Sequence, residues 1–484
     1  MTAGAVSAEG LVQAYLRRIE DLDKNGPALH SVLSLNPRAV EDAKRLDAER
    51  AQGGVRGPLH GIPVLVKDNI ETADPLPTTA GSLALEANVT GRDAPIVARL
   101  REAGAIVLGK TNLSEWANIR SSHSTSGWSA IGGLTRNPYA LDRNPCGSSS
   151  GSGAAIAASL AAIAIGTETD GSITCPASVN GLVGLKPTVG LLSRRHIVPI
   201  SSQQDTAGPM ARTVADAAAL LTIVAGRDEG DSATADADRH RVDFAGALSD
   251  GALSGTRLGV LRFLEGTNPE VKALFDAALD HLRAAGATIV DIQTFDGLDR
   301  IGRDELTVLL TDFRTELNAY LADLPAAVRT RTLADVIAFN NANARREMPY
   351  FAQELFEQAE RTGGHDGAAY TARRAALKRL AGPGGLDRLL AAQRLDALIA
   401  PTLGPAWTTD LVNGDHISDS ATTLPAVAGY PHLTVPMGLV RGLPVGLSLI
   451  GPAWSDARLL AMGFAFEQRA HTRRPPTYAR QIER

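Results

Sequence analysis

Hydrophobic and polar positions along the chain follow two alternating periods. Behind Ser7, the residues Leu11, Val12, Tyr15, Leu16, Ile19 and Leu22 recur at three- and four-residue spacing, which predicts an amphipathic helix with Ser7 as N-cap. Further on, helical segments end at a glycine and give way at once to short apolar runs. ARLREAG precedes AIVLGK over 98–110, and LFDAALDHLRAAG precedes ATIVDI over 274–292. Gly104 and Gly286 suit the left-handed position just past a helix, and the β-branched runs after them suit buried strands. The same pattern marks strands at 62–67, 182–186, 257–263, 395–401, 432–438 and 444–451. Strands interleaved with helices predict an α/β fold, a sheet covered by helices on both faces.

A polar, Asp-rich stretch over 226–251 interrupts this alternation. Strand-like runs resume beyond it, so it is expected to be a surface excursion of one unit spanning 1–484 and not a domain boundary. Segment 298–390 reads as helical and charged, and it holds Phe313, Tyr320, Phe339, Tyr350, Phe351 and Phe356.

Composition narrows the class. With 44% hydrophobic and 21% charged residues, the 484-residue chain is that of an ordinary globular protein. A net charge of -5 without a long basic run predicts no nucleic-acid partner. The apolar runs fall short of the ~18–20 residues that span a membrane. The start lacks a basic segment followed by an apolar one, so a cytoplasmic location is expected. Cys146 and Cys175 cannot build a disulfide framework, and no CxxC or HExxH pattern offers a metal site. They read as small buried thiols, with a single bond between them left open.

The chemistry is concentrated in CGSSSGSGAAIAASLAAIAIGTETDGSITCPASVNGLVGLKPTVG, 146–190, where Gly147 to Gly153 are only Gly and Ser. A flexible linker is disfavoured because a small-residue helix, AAIAASLAAIAI, is predicted to follow directly and must be buried. A phosphate loop is disfavoured because the Lys-Ser/Thr ending and the dinucleotide spacing are both missing. Nucleophilic catalysis remains, in two versions. Gly147–Gly151 formally matches a G-x-S-x-G elbow with Ser149 as nucleophile, but RNPYALDRNPC before it is no strand. His432 and His471 carry no mark of a base. The other version places the nucleophile at Ser172, where backbone N–H groups of Thr169, Asp170, Gly171 and Ser172 can converge on one oxyanion.

A serine needs a base, and a lysine can serve. Lys67 ends the apolar run IPVLV, so its stem leaves a buried strand and burial favours its neutral form. Lys110 and Lys186 stand in similar settings, and position alone does not choose among the three.

At this point the chain resembles the amidase signature family. GPLHGIPVLVKDNI (57–70), GAIVLGKTNLSEWA (104–117), NPCGSSSGSGAA (144–155), GTETDGSITCPASVNGLVGLKPT (166–188), QDTAGPMARTVADAA (204–218) and LTVPMGLVRGLPVGLSLIG (433–451) carry the likeness. It covers nearly the whole chain and is most specific over 57–218. It implies one large mixed β-sheet and a triad of Lys67, Ser148 and Ser172. The two serines stand 24 residues apart, the family's own interval, which selects Ser148 over Ser149 and Ser150 as proton relay. Ser149 is left in a supporting role. The family's relay serine follows a cis peptide bond, here Gly147–Ser148, and glycine relieves crowding there. The implied reaction is amide hydrolysis through an acyl-enzyme, with no cofactor and no metal.

Many members have Asp, Gly and Arg where this chain has Glu168, Asp170 and Thr174. Those departures, with CGSSSGSG and SEWAN (114–118), make the chain similar to the bacterial peptide amidases, which release the C-terminal amide of peptides. Small- or aryl-amide hydrolysis and service within an amidotransferase complex on aminoacyl-tRNA are the rival functions. The expected partner is a peptide or small amide substrate, with the protein a monomer or homodimer. Segment 298–390, where the family varies most, is expected to shape the substrate cleft.

Overall fold

The computed structural model describes Met1 and residues 4–482. The strands in chain order are β1 Val32–Leu35, β2 Pro63–Lys67, β3 Ile106–Thr111, β4 Trp128–Ser129, β5 Gly133–Leu134, β6 Ile163–Glu168 and β7 Val183–Lys186. They continue with β8 Thr206–Ala211, β9 Arg257–Leu261, β10 Thr288–Ile292, β11 Ala397–Pro401, β12 His432–Val440 and β13 Leu443–Ile450. Eleven of them form one sheet in the order β1-β3-β2-β6-β8-β7-β12-β13-β11-β9-β10, while β4 and β5 make a separate pair. The sheet is mixed: β2 runs parallel to β3 and β6, whereas β8 is antiparallel to both β6 and β7. The expected α/β architecture is what the chain adopts.

Each face of the sheet is packed. On β2, Val64 and Val66 enter a core shared with the helices Pro95–Glu102, Val214–Val224, Pro269–Ala284 and Asp456–Ala470. Leu65 points the other way, into a core shared with Ala8–Arg18, Ala39–Ala51 and Ser150–Ala157. This period-two alternation with both faces apolar explains why the strand reads as an unbroken hydrophobic run. The first helix starts as predicted, with the Ser7 hydroxyl accepting from Gly10 N at 3.0 Å, but a π-helical turn takes over at Ile19–Lys24.

Two elements differ from the sequence pattern. The segment 154–165 is not one helix: the helix stops at Ala157, Ser159 takes a left-handed φ of 56°, and Ile163 begins β6. Alternating Ala and Ile suit a buried helix and a buried strand equally, so composition did not separate them. The strand β8, TAGPMA, went unmarked because Gly208 and Pro209 are poor strand residues. Pro209 pairs with Ile165 of β6 but lies outside the β7 ladder, which covers only Met210 and Ala211. A Cβ on Gly208 would run into the Leu185 carbonyl, which is why glycine stands there.

The polar stretch 226–251 contains two short helical turns, Ser232–Thr234 and Ala237–His240, and buries Thr234, Ala237 and Phe244. Its Asp228 and Asp231 hold Arg195 and Arg194 at 3.1 and 2.6 Å. Segment 298–390 is helical, led by the 25-residue helix Leu298–Ala322.

Candidate active site

Lys67 is the last residue of β2 and, two positions after Leu65, shares its face toward the helix Ser150–Ala157. Its side chain is fully buried. Nζ lies 2.7 Å from Ser148 Oγ, 2.8 Å from Thr167 Oγ1 and 3.2 Å from the Thr167 carbonyl. Its hydrogen-bond partners are thus hydroxyls and a carbonyl, without a carboxylate. Burial, only partly offset by the charges of Glu168 and Asp205, pushes the ammonium down to about 7.

The two rival lysines are committed elsewhere. Lys110 Nζ pairs with Asp68 Oδ1 at 3.1 Å and donates to Thr78 Oγ1 at 2.8 Å. Lys186 Nζ donates to the Pro187 carbonyl at 3.2 Å, and burial lowers it to about 8 against the pull of Glu168 and Asp456.

The peptide bond Gly147–Ser148 is cis. A Cβ on Gly147 would overlap Ser114 Oγ, so the neighbouring SEWAN segment is a second reason for glycine. Ser149 Oγ is occupied by the backbone of Thr167, donating to its carbonyl at 3.1 Å and accepting from its N–H at 3.2 Å. That double bond to one residue of β6 makes Ser149 a structural anchor, and the elbow alternative loses its nucleophile. The Ser149 N–H donates to the Ser172 carbonyl at 3.1 Å, which ties the Gly/Ser loop to the later turn. His432 is buried against Ser448 Oγ at 2.6 Å and pushed down to about 3 by burial, and His471 closes a helix at the surface.

Ser172 follows β6 through a turn in which Gly171 has φ 78°. The backbone N–H groups of Asp170, Gly171 and Ser172 have no protein acceptor among the described residues. The next two N–H groups do: Ile173 N and Thr174 N donate to Glu168 Oε2 at 2.7 and 2.8 Å, and Thr174 Oγ1 adds a bond at 3.1 Å. The departures at 168 and 174 are therefore one unit. The Glu168 carboxylate reaches across the turn and caps the helix Thr174–Val179, fixing the backbone on both sides of Ser172. Sequence reasoning saw the two substitutions without seeing that they touch.

A cavity of about 190 Å³ opens at Gly147, Gly171 and Ser172, with apolar walls from Ile119, Ile200, Leu309 and Ile417. Leu309 comes from the helix Leu298–Ala322. Ala117 and Asn118 also face it, from a stretch in which Trp116, Ala117 and Asn118 all have left-handed φ, between 50° and 72°. Such backbone in non-glycine residues persists only where its surroundings hold it; here Trp116 is buried against Phe356. Cys146 and Cys175 both line the cavity and are bonded to each other, with Cα atoms 6.0 Å apart. The bond that the sequence left open is thus present, a disulfide that joins the segment before Ser148 to the segment after Ser172.

Away from this cavity, Asp312, Glu316 and His365 lie close enough together to hold a cation. Their bonds to one another and to Ser201 and Ser202 instead fasten the helix Leu298–Ala322 to the 193–205 loop.

Fold and site together are those of an amide hydrolase. The sequence matches the Amidase family over residues 10–460, and the chain belongs to the amidase signature family. It is 41% identical to a probable amidase of Arabidopsis thaliana, covering 98% of this chain and 89% of that one. It is 52% identical to the native peptide amidase of Stenotrophomonas maltophilia, whose crystal structure superposes with a TM-score of 0.93 over 99% of this chain and 96% of that one. It is also 36% identical to a component of the glutamyl-tRNA(Gln) amidotransferase of Symbiobacterium thermophilum, over 98% of this chain and 96% of that one. No helix among the described residues is long and apolar enough to cross a membrane.

Proposed function

We propose that this amidase releases ammonia from peptide C-terminal amides through Lys67, Ser148 and Ser172. The observation that carries the mechanism is the 2.7 Å hydrogen bond from the buried Lys67 to Ser148 Oγ. Neutral Lys67 accepts the Ser148 proton as Ser148 accepts that of Ser172, and the Ser172 Oγ attacks the amide carbon. The N–H groups of the Thr169–Ser172 turn receive the developing oxyanion. The relay returns a proton to the departing ammonia, and water then hydrolyses the acyl-enzyme without metal or cofactor.

Support for the substrate class is the close likeness to a peptide amidase. The 190 Å³ cavity fits a small amide end with an apolar side chain beside it. In this proposal the helices of 298–390 shape the cleft of a single 1–484 unit, which acts without other proteins, as a monomer or homodimer. The Cys146–Cys175 bond favours an oxidising compartment over the cytoplasm, where such bonds are rare.

The test is mass spectrometry of products from a blocked dipeptide amide, an aryl amide and glutamyl-tRNA with glutamine. Conversion of the peptide amide to the acid by the purified protein alone is expected, together with a loss of about 10⁶-fold in Ser172→Ala. Faster turnover of the aryl amide, or activity only with added partner proteins, would replace the substrate assignment. Full activity in Ser172→Ala would end the mechanism.

A further inference from the structure

The turn that carries Ser172 rests on a pair of acids. Asp170 is the only titratable side chain lining the 190 Å³ cavity among the described residues. Its Oδ2 accepts from Thr423 Oγ1 at 2.7 Å. Its Oδ1 is enclosed and meets no N–H or hydroxyl donor among the described residues. The group that faces Asp170 is the Glu305 carboxyl, from the helix Leu298–Ala322, with only 8% of its surface exposed. Glu305 Oε1 accepts from Gln204 Nε2 at 2.8 Å, and the same amide lies 3.3 Å from the Thr169 carbonyl.

Two buried carboxyl groups in contact cannot both be charged, so one of them holds a proton. Asp170 already accepts from Thr423, and a proton on Glu305 supplies the donor that Asp170 Oδ1 otherwise lacks. We infer that Glu305 is a protonated positioning residue, which donates to Asp170 and, through Gln204, holds Thr169, so that the first two residues of the oxyanion-binding turn are fixed from one carboxyl. This rests on the role proposed above for the Thr169–Ser172 turn.

The electrostatics agree. Burial first, and then the negative charge of Asp170, raise Glu305 well above the ordinary carboxylate range. The other charged groups near the pair are Lys186 at the end of β7, Glu168 at the end of β6 and Asp205, which accepts from Thr169 Oγ1 at 2.6 Å. From the 420–423 segment Asp170 faces only hydroxyls, Thr423 bonded to Oδ2 and Thr422 beside it. A group with a raised pKa keeps its proton at neutral pH and loses it as pH rises. Ionised Glu305 would repel Asp170 and release the turn. Lys67, once neutral, stays neutral at high pH, and Lys186, held at about 8, also loses its proton in this range. The share of the alkaline loss that belongs to Glu305 is therefore the share that removing its carboxyl abolishes.

The experiment compares kcat and KM on a peptide amide for wild type, Glu305→Gln and Glu305→Leu from pH 6 to 10, with urea midpoints followed in parallel. Glutamine keeps an acceptor for Gln204 and a donor for Asp170 but cannot ionise. Glu305→Gln is therefore expected to retain neutral-pH kcat and to show a weaker alkaline limb than wild type, reduced to what Lys186 alone accounts for. Glu305→Leu is expected to lose kcat on the order of 100-fold with KM little changed. An alkaline limb identical in wild type and Glu305→Gln, a wild-type profile without one, or full kcat in a folded Glu305→Leu would each overturn the inference. If one of those results appears while Ser172→Ala is inactive, only the role of Glu305 fails and the triad stands.

Discussion

Lys67 ends β2 and Lys110 stands one residue before the end of the neighbouring β3, one rung apart in the register, and both are fully buried. Burial lowers both lysines, yet their surroundings differ. Lys110 is held by the Asp68 carboxylate, whose charge opposes that lowering. Lys67 is held by two hydroxyls and a carbonyl, with carboxylates only at a distance. A buried lysine becomes a base when its hydrogen-bond partners carry no charge, and a structural cation when one of them does. The difference lies in one residue, Asp68, which points to the neighbouring strand and not along its own.

This contrast can be broken by exchange. Lys67→Met is expected to lower kcat on a peptide amide by about 10⁴-fold, near the upper end of what a general base supplies. Its urea midpoint should be unchanged or higher. The Lys67 pKa is lower in the folded protein than in the unfolded chain, so below about 7 the folded state bears the full penalty of a buried charge. That penalty fades as pH rises toward the ordinary lysine range. Any stability gained by Lys67→Met should therefore be larger at pH 6 than at pH 9.

Lys110→Met should do the reverse. It strands the Asp68 carboxylate, costing about 3–5 kcal/mol in urea unfolding, while the catalytic groups stay in place. Restoring stability with Lys110→Met/Asp68→Asn would confirm that charge and not volume is at issue. If both lysine variants lost activity alike with the fold intact, the distinction between them would be void.

Smaller effects sharpen the same point. Ser148→Ala should cost about 10²–10³-fold in kcat, less than Lys67→Met, because water can partly replace a relay. The wild-type kcat/KM should rise with pH through a midpoint of about 7 as Lys67 loses its proton. A flat profile from pH 5 to 8 would remove Lys67 as the base. Thr167→Val removes one acceptor for the ammonium, so the midpoint should move down, by less than about one pH unit.

Part of the candidate site was legible in the chain. The strand ending at Lys67 could be read from IPVLV alone, whereas Ser148 was preferred over Ser149 only through the interval that the family resemblance implies. What could not be read were contacts between distant segments. Glu168 and Thr174 are six residues apart and looked like separate substitutions, but the turn folds one onto the other. Glu305 lies in a segment with no motif, and only the packing of the helix Leu298–Ala322 brings it to Asp170. In the fold, β8 was hidden by Gly208 and Pro209, whose propensities oppose a strand that pairing with β6 nevertheless forms. The short helix before β6 was hidden by Ala- and Ile-rich composition that satisfies either period.

The Cys146–Cys175 bond closes a ring of backbone in which Ser148 and Ser172 both lie. Within that ring the two serines are connected by two covalent routes, one along the chain between them and one through the sulfur atoms. A protease that cut the chain between the serines would open the ring without producing two separable fragments. The halves of the site would stay on one molecule until the sulfurs were reduced, so a nicked protein could keep its reacting groups within reach of each other.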